Sequence, residues 1–215
     1  MLAGVSLYSV SVWILPVLVA ITFHEAAHAY AARYFGDDTA SQLGRVSLNP
    51  LKHIDPIGTV AVPGILLLTG APFLFGWAKP VPVNFGNLRH PKRDMIWVAG
   101  AGPMANFVMA ILWAFIAQAA APSGPLASDG LYQMAQIGIS INLVLMVLNL
   151  LPIPPLDGGR IAVGLLPTPA ANALARLEPY GFIVILVLLV TGLLGNLMRP
   201  LLRVAQFGLY AITGL

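Results

Sequence analysis

The sequence predicts an all-α, multi-pass membrane protein with four to six transmembrane helices and one re-entrant loop or β-hairpin. The first observation behind this is composition: 58% of residues are hydrophobic and 9% charged, with a mean hydropathy of +0.84, which is too apolar for a soluble domain. The second is that the apolar residues fall in long blocks separated by Pro/Gly-rich punctuation. The third is length. With 215 residues and about 20 needed for each spanning helix, the chain has room for these spans and for no sizeable soluble domain. It is expected to be a single membrane-embedded domain, with a core from Leu7 to Arg160 and C-terminal membrane helices from Ile161 to Leu215.

The first block, Leu7 to Phe35, is long enough to span and has no positive residue before Arg33, so it lacks the basic start of a cleaved leader. A polar stretch follows from Gly36 to Asp55. The run from Pro56 to Phe75 is broken by Pro63, Gly64, Gly70 and Pro72, which suits a re-entrant segment better than a plain spanning helix. Gly76 to Asp94 is the most basic loop. Met95 to Ala121 and Leu131 to Leu151 read as an outgoing and a returning span joined by the turn Pro122 to Gly130. Pro179 to Met198 reads as a further span, Ile161 to Leu166 is too short to cross, and Leu201 to Leu215 fits either a short span or an interfacial helix.

Charge placement predicts the topology. If the Pro56 to Phe75 segment is re-entrant, both basic loops share one side, and the positive-inside rule makes that side cytoplasmic. The net charge of +3 comes from scattered residues without a basic face, so nucleic-acid binding is not expected. The chain has no cysteine, which excludes disulfides, thiolate metal sites and cysteine nucleophiles.

Within the first span lies His24-Glu25-Ala26-Ala27-His28. Residues four apart share a helix face, so the two imidazoles can bind one metal while Glu25 stands beside a bound water. Ionisable side chains at bilayer depth are costly and mark function. A catalytic zinc site takes three protein ligands and leaves a position open for water. Asp157, in Asn149-Leu150-Leu151-Pro152-Ile153-Pro154-Pro155-Leu156-Asp157-Gly158-Gly159-Arg160, is the best third donor: prolines end the helix before it and glycines let the chain turn after it. His53, in a polar loop, is the rival.

The two motifs together resemble the site-2 protease family of intramembrane zinc metalloproteases. The similarity extends to Ser47-Leu48-Asn49-Pro50, His53-Ile54-Asp55-Pro56-Ile57-Gly58-Thr59, Gly76-Trp77-Ala78-Lys79-Pro80-Val81-Pro82-Val83-Asn84 and Ala101-Gly102-Pro103-Met104-Ala105-Asn106, and so covers His24 to Arg160. The resemblance implies one Zn2+ held by His24, His28 and Asp157, with Glu25 as the catalytic base. At this length the chain is expected to lack the PDZ or CBS domains of larger members.

The expected activity is endoproteolysis of transmembrane protein substrates near the cytoplasmic side of a prokaryotic cell membrane. Asn149 or Asn106 is the candidate donor to the oxyanion; Asn142 lies near the same face as Asn149, and interhelical hydrogen bonding is an alternative role for all three. The proline-stiffened stretch Lys79 to Asn84 is a candidate to hold an unwound substrate strand. A homo-oligomer or adaptor is left open. The other reading, a metal transporter or non-proteolytic metal-responsive regulator, calls for more ionisable residues across the bilayer than the spans carry.

Overall fold

In the computed structural model, which describes residues 7–70 and 76–215, the described residues are mostly helical and no strand occurs among them. The elements in order are α1 (Leu7–Tyr34), α2 (Thr39–Gln42), α3 (Val62–Leu68), α4 (Pro91–Ala120), α5 (Asp129–Asn149), α6 (Asp157–Leu165), α7 (Thr168–Ala175), α8 (Glu178–Val190) and α9 (Leu193–Thr213). Single 3₁₀ turns occupy Pro50–Lys52 and Phe85–Asn87, and Pro56–Ala61 is a π-helical turn leading into α3. By length and apolarity, α1, α4 and α5 can each cross a membrane, and α7 with α8, bent by 63°, adds a fourth crossing if the pair acts as one span.

The core is a three-helix unit in which α4 runs antiparallel to both α1 and α5. Its packing is inverted relative to a soluble bundle. Ala20, Ala26, Ala29 and Ala32 of α1 and Ala99, Ala110, Ala114, Ala117 and Ala120 of α4 are buried, whereas Met104, Val108, Leu112 and Phe115 form an exposed apolar row on α4. Small residues let helix backbones approach closely, and large apolar ones face lipid without penalty. At Gly138 of α5 an added Cβ would stand 2.3 Å from the Trp113 ring, so the missing side chain makes the seat for that indole.

Two expectations change in detail. The segment starting at Pro56 is helical where it is described, not a β-hairpin, because Asp55 Oδ1 accepts the Ile57 and Gly58 amides and caps a turn that begins with proline. Its last part, residues 71–75, lies outside the described residues. The expected span Pro179 to Met198 is split: α8 stops at Val190, and Gly192, with φ +74°, breaks the helix and stands at the start of α9. α9 then runs antiparallel to α5. Leu194 and Met198 pack with Val147 and Leu151 at one end, Leu209 packs with Ala114 and Ala117 toward the other, and Gln118 Nε2 donates to the Thr213 carbonyl. It therefore follows the bundle for its full height.

The basic loops lie together at one end of the bundle. Arg45 bonds the Lys79 and Pro80 carbonyls, the Arg89 amide bonds the Phe35 carbonyl, and Lys92 bonds the carbonyl of Leu166. The opposite end carries the turn between α4 and α5, which contains no lysine or arginine.

Candidate metal centre

His24 and His28 face α4 from α1, and each ring is fixed by its Nδ1. His28 Nδ1 stands 2.7 Å from the Val98 carbonyl, which can only accept, so that nitrogen carries the proton. His24 Nδ1 stands 2.6 Å from Asn106 Oδ1. The amide orientation follows from its other contacts: Asn106 Nδ2 donates to the Ala20 carbonyl and to Asn142 Oδ1, and Asn142 Nδ2 donates in turn to the Gly138 carbonyl. Backbone carbonyls at both ends of this relay fix its direction, and His24 must also donate from Nδ1.

With both Nδ1 atoms protonated, Nε2 is the nitrogen that each ring, when neutral, has left to offer a metal, and the two Nε2 atoms face each other 3.1 Å apart. Asp157 Oδ2 completes the triangle at 3.3 Å from each. It is buried and accepts no hydrogen bond. With neutral rings these are three acceptor atoms converging out of water, which repel one another unless a cation lies between them. Two donors bound tetrahedrally to zinc at about 2.0–2.1 Å lie about 3.3–3.4 Å apart, so the nitrogen and carboxylate donors and their spacing fit that metal. Among the described residues, these three are the one group of His, Asp and Glu side chains close enough to share an ion.

Asp157 reaches the centre because of the loop before it. α5 ends at Asn149, and Leu150 to Leu156 folds back on itself. Gly158 lies against the Leu150 and Leu151 carbonyls and Gly159 against Pro154, where added Cβ atoms would meet backbone at 2.3 and 2.4 Å. The two glycines thus allow the first turn of α6 to sit on its own approach loop. A third glycine does the same at the metal: a Cβ on Gly102 would stand 2.3 Å from His28 Nε2 and 2.6 Å from the His24 ring. In the sequence nothing local marks Gly102 beyond its place in the Ala101 to Asn106 stretch. The need for a bare backbone at Gly102 becomes visible when α4 is placed against α1.

The other candidates take different places. His53 is buried away from the three converging residues, with Nε2 2.8 Å from the Ser47 carbonyl. Both amide hydrogens of Asn106 are engaged in the relay. Asn149 donates to the Leu145 carbonyl. Glu25 stays outside the triangle, and its Oε2 accepts the Val81 amide at 2.7 Å. Asp37, beyond the end of α1, is fully buried. Burial pushes its carboxyl up, but donors from Thr39, Asn84 and Asn87 outweigh this and hold it below the usual carboxylate range.

A fold of apolar helices enclosing such a centre belongs to a recognised class. Residues 12–191 match the model of peptidase family M50, and the chain belongs to that family, that of the site-2 proteases. It is 42% identical over 197 residues to YwhC of Bacillus subtilis, named a putative zinc metalloprotease, across 90% of this chain and 86% of that protein. It is 32% identical over 190 residues to Rip2 of Mycolicibacterium smegmatis, which carries the same description, across 87% of this chain and 68% of the relative. Rip2 of Mycobacterium tuberculosis is 28% identical over 190 residues. No solved structure matches the chain.

Proposed function

We propose that this peptidase is an intramembrane zinc endopeptidase that cleaves transmembrane protein substrates near the cytoplasmic side, with His24, His28 and Asp157 as metal ligands and Glu25 as general base. The observation that carries this is the triangle of three buried acceptor atoms with a fourth, non-ligating carboxylate on the neighbouring residue, in a chain of family M50. Bound there, zinc supplies a water of lowered pKa and a Lewis acid for the scissile carbonyl. Glu25 accepts the proton of the attacking water and returns it to the leaving amine. Asn149 is the favoured donor to the developing oxyanion, since Asn106 has no amide hydrogen to spare.

A membrane helix hides its carbonyls in internal hydrogen bonds and must unwind before it can be cut. The segment Lys79 to Asn84 supports the reading of a holding edge, because its Val81 and Val83 carbonyls and the Val83 amide have no hydrogen-bond partner among the described residues. The clustering of the basic loops at one end of the bundle supports a cytoplasmic placement of that end.

The test is Glu25→Gln, which keeps the shape of the side chain and removes its basicity. Purified protein should retain its zinc and lose cleavage of a model transmembrane substrate. Loss of metal together with activity would make Glu25 a ligand, and retained activity would remove it as the base.

A further inference from the structure

The stretch Lys79 to Asn84 is tied down along its length, and one of its ties ends on Glu25. The Lys79 amide donates to the His53 carbonyl at 2.9 Å. Arg45 Nη2 donates to the carbonyls of Lys79 at 3.0 Å and Pro80 at 3.3 Å. The Asn84 amide donates to Asp37 Oδ2 at 2.7 Å. Between these anchors Pro80 and Pro82 have no N–H, so the Val81 amide is the one backbone donor from residue 80 to residue 82. It points at Glu25 Oε2, 2.7 Å away. The Val81 side chain, 8% exposed, packs in a cluster with Ala29, one turn along α1 from Glu25, and with Ala40.

We propose that this strap positions Glu25 for proton transfer, and that Arg45 and Asp37 are positioning residues that act through it. The inference rests on the reading of Glu25 as the general base. A base must lie within hydrogen-bond reach of the proton it takes, and a glutamate on an open helix face rotates about three side-chain bonds. A charge-assisted bond to a fixed amide immobilises one oxygen and leaves Oε1, which has no partner among the described residues, as the lobe that receives the proton. The alternating prolines fit this role: they stiffen the strap and leave a single donor on it at the point where it crosses Glu25. Arg45 and Asp37 are bonded to the strap and are not among the three converging metal-site residues, so their effect on catalysis passes through the strap.

Two measurements on the full-length protein test this. In metal-free protein in detergent, amide exchange of the 79–84 segment reports on the amides of Lys79, Val81, Val83 and Asn84 alone. Val81 exchange should accelerate about 10- to 100-fold in Glu25→Ala, the range for losing a bond to a charged acceptor. It should also accelerate in Arg45→Met and return in Arg45→Lys; unchanged exchange in all three overturns the proposal.

With zinc-loaded protein and a model transmembrane substrate, Val81→Pro should lower kcat about 10- to 100-fold at constant KM and zinc content. A rise in kcat would make the strap a brake on Glu25, and a rise in KM alone would leave it as a substrate-holding edge with no part in positioning Glu25; either overturns the proposal. If Val81→Pro fails to fold, the Arg45→Met and Arg45→Lys pair carries the same kinetic test, with kcat lost in the first and restored in the second. A wild-type protein that binds zinc yet cleaves nothing would refute the endopeptidase reading, and the exchange measurement would still decide whether Glu25 holds the strap.

Discussion

His24 and His28 show how little of a metal centre resides in its ligands. Each ring is aimed by its Nδ1, one through the Val98 carbonyl and one through the Asn106–Asn142 relay, and such outer partners fix tautomer and orientation. Gly102 belongs to the same design by leaving space. Gly102→Ala should therefore reduce zinc occupancy in purified protein nearly as much as Asp157→Ala, because its Cβ would enter the volume of the His28 nitrogen. His53→Ala should leave the metal in place, since His53 bonds its own loop. Metal analysis of the three variants checks this, and an empty site in His53→Ala with a full one in Asp157→Ala would exchange their roles.

Among the elements, α8 governs the loop that delivers Asp157. A Cβ on Gly181 would stand 1.6 Å from the Pro154 carbonyl, so α8 presses its bare backbone onto the turn between α5 and α6. Gly181→Ala should lower the thermal midpoint in detergent, with a destabilisation of about 1–3 kcal/mol from overpacking. Gly208→Ala in α9, where nothing lies within 4 Å, should leave it unchanged or raise it by up to about 1 kcal/mol. Comparing the two melting curves separates close packing from helix propensity. The split at Gly192 is an element-scale event as well. Hydropathy runs through it without a break, whereas the left-handed backbone at that one residue ends α8 and begins α9.

At the scale of the molecule, the proposed reaction is limited by access to the substrate backbone as well as by chemistry. Gly, Asn or Pro placed in the cytoplasmic half of a transmembrane substrate should speed cleavage, and a leucine-rich helix should resist it. Each glycine weakens a helix by about 1 kcal/mol relative to alanine in water, so two or three should raise the unwound population by about one to two orders of magnitude in that reference. Cleavage rates across such a series, at constant zinc content and with binding measured separately, give the test. Equal rates would mean that unwinding is not limiting.

The sequence by itself determined the membrane class, the three principal spans to within a few residues at most ends, and His24, His28 and Asp157 as the candidate metal ligands. These signals are local: apolar run length, a four-residue helical repeat, and prolines and glycines bracketing one aspartate. The tertiary structure decided what depends on contacts between distant segments. It engaged Asn106 with His24, 82 residues away, and tied Glu25 to Val81, 56 residues away. It also set Gly102 against two histidines, and laid α9 along the full height of α5. None of these has a periodic signature, because a single hydrogen bond or one absent Cβ leaves the hydropathy and spacing of its own segment unchanged. Such a contact acquires meaning only when a second helix is brought against the first.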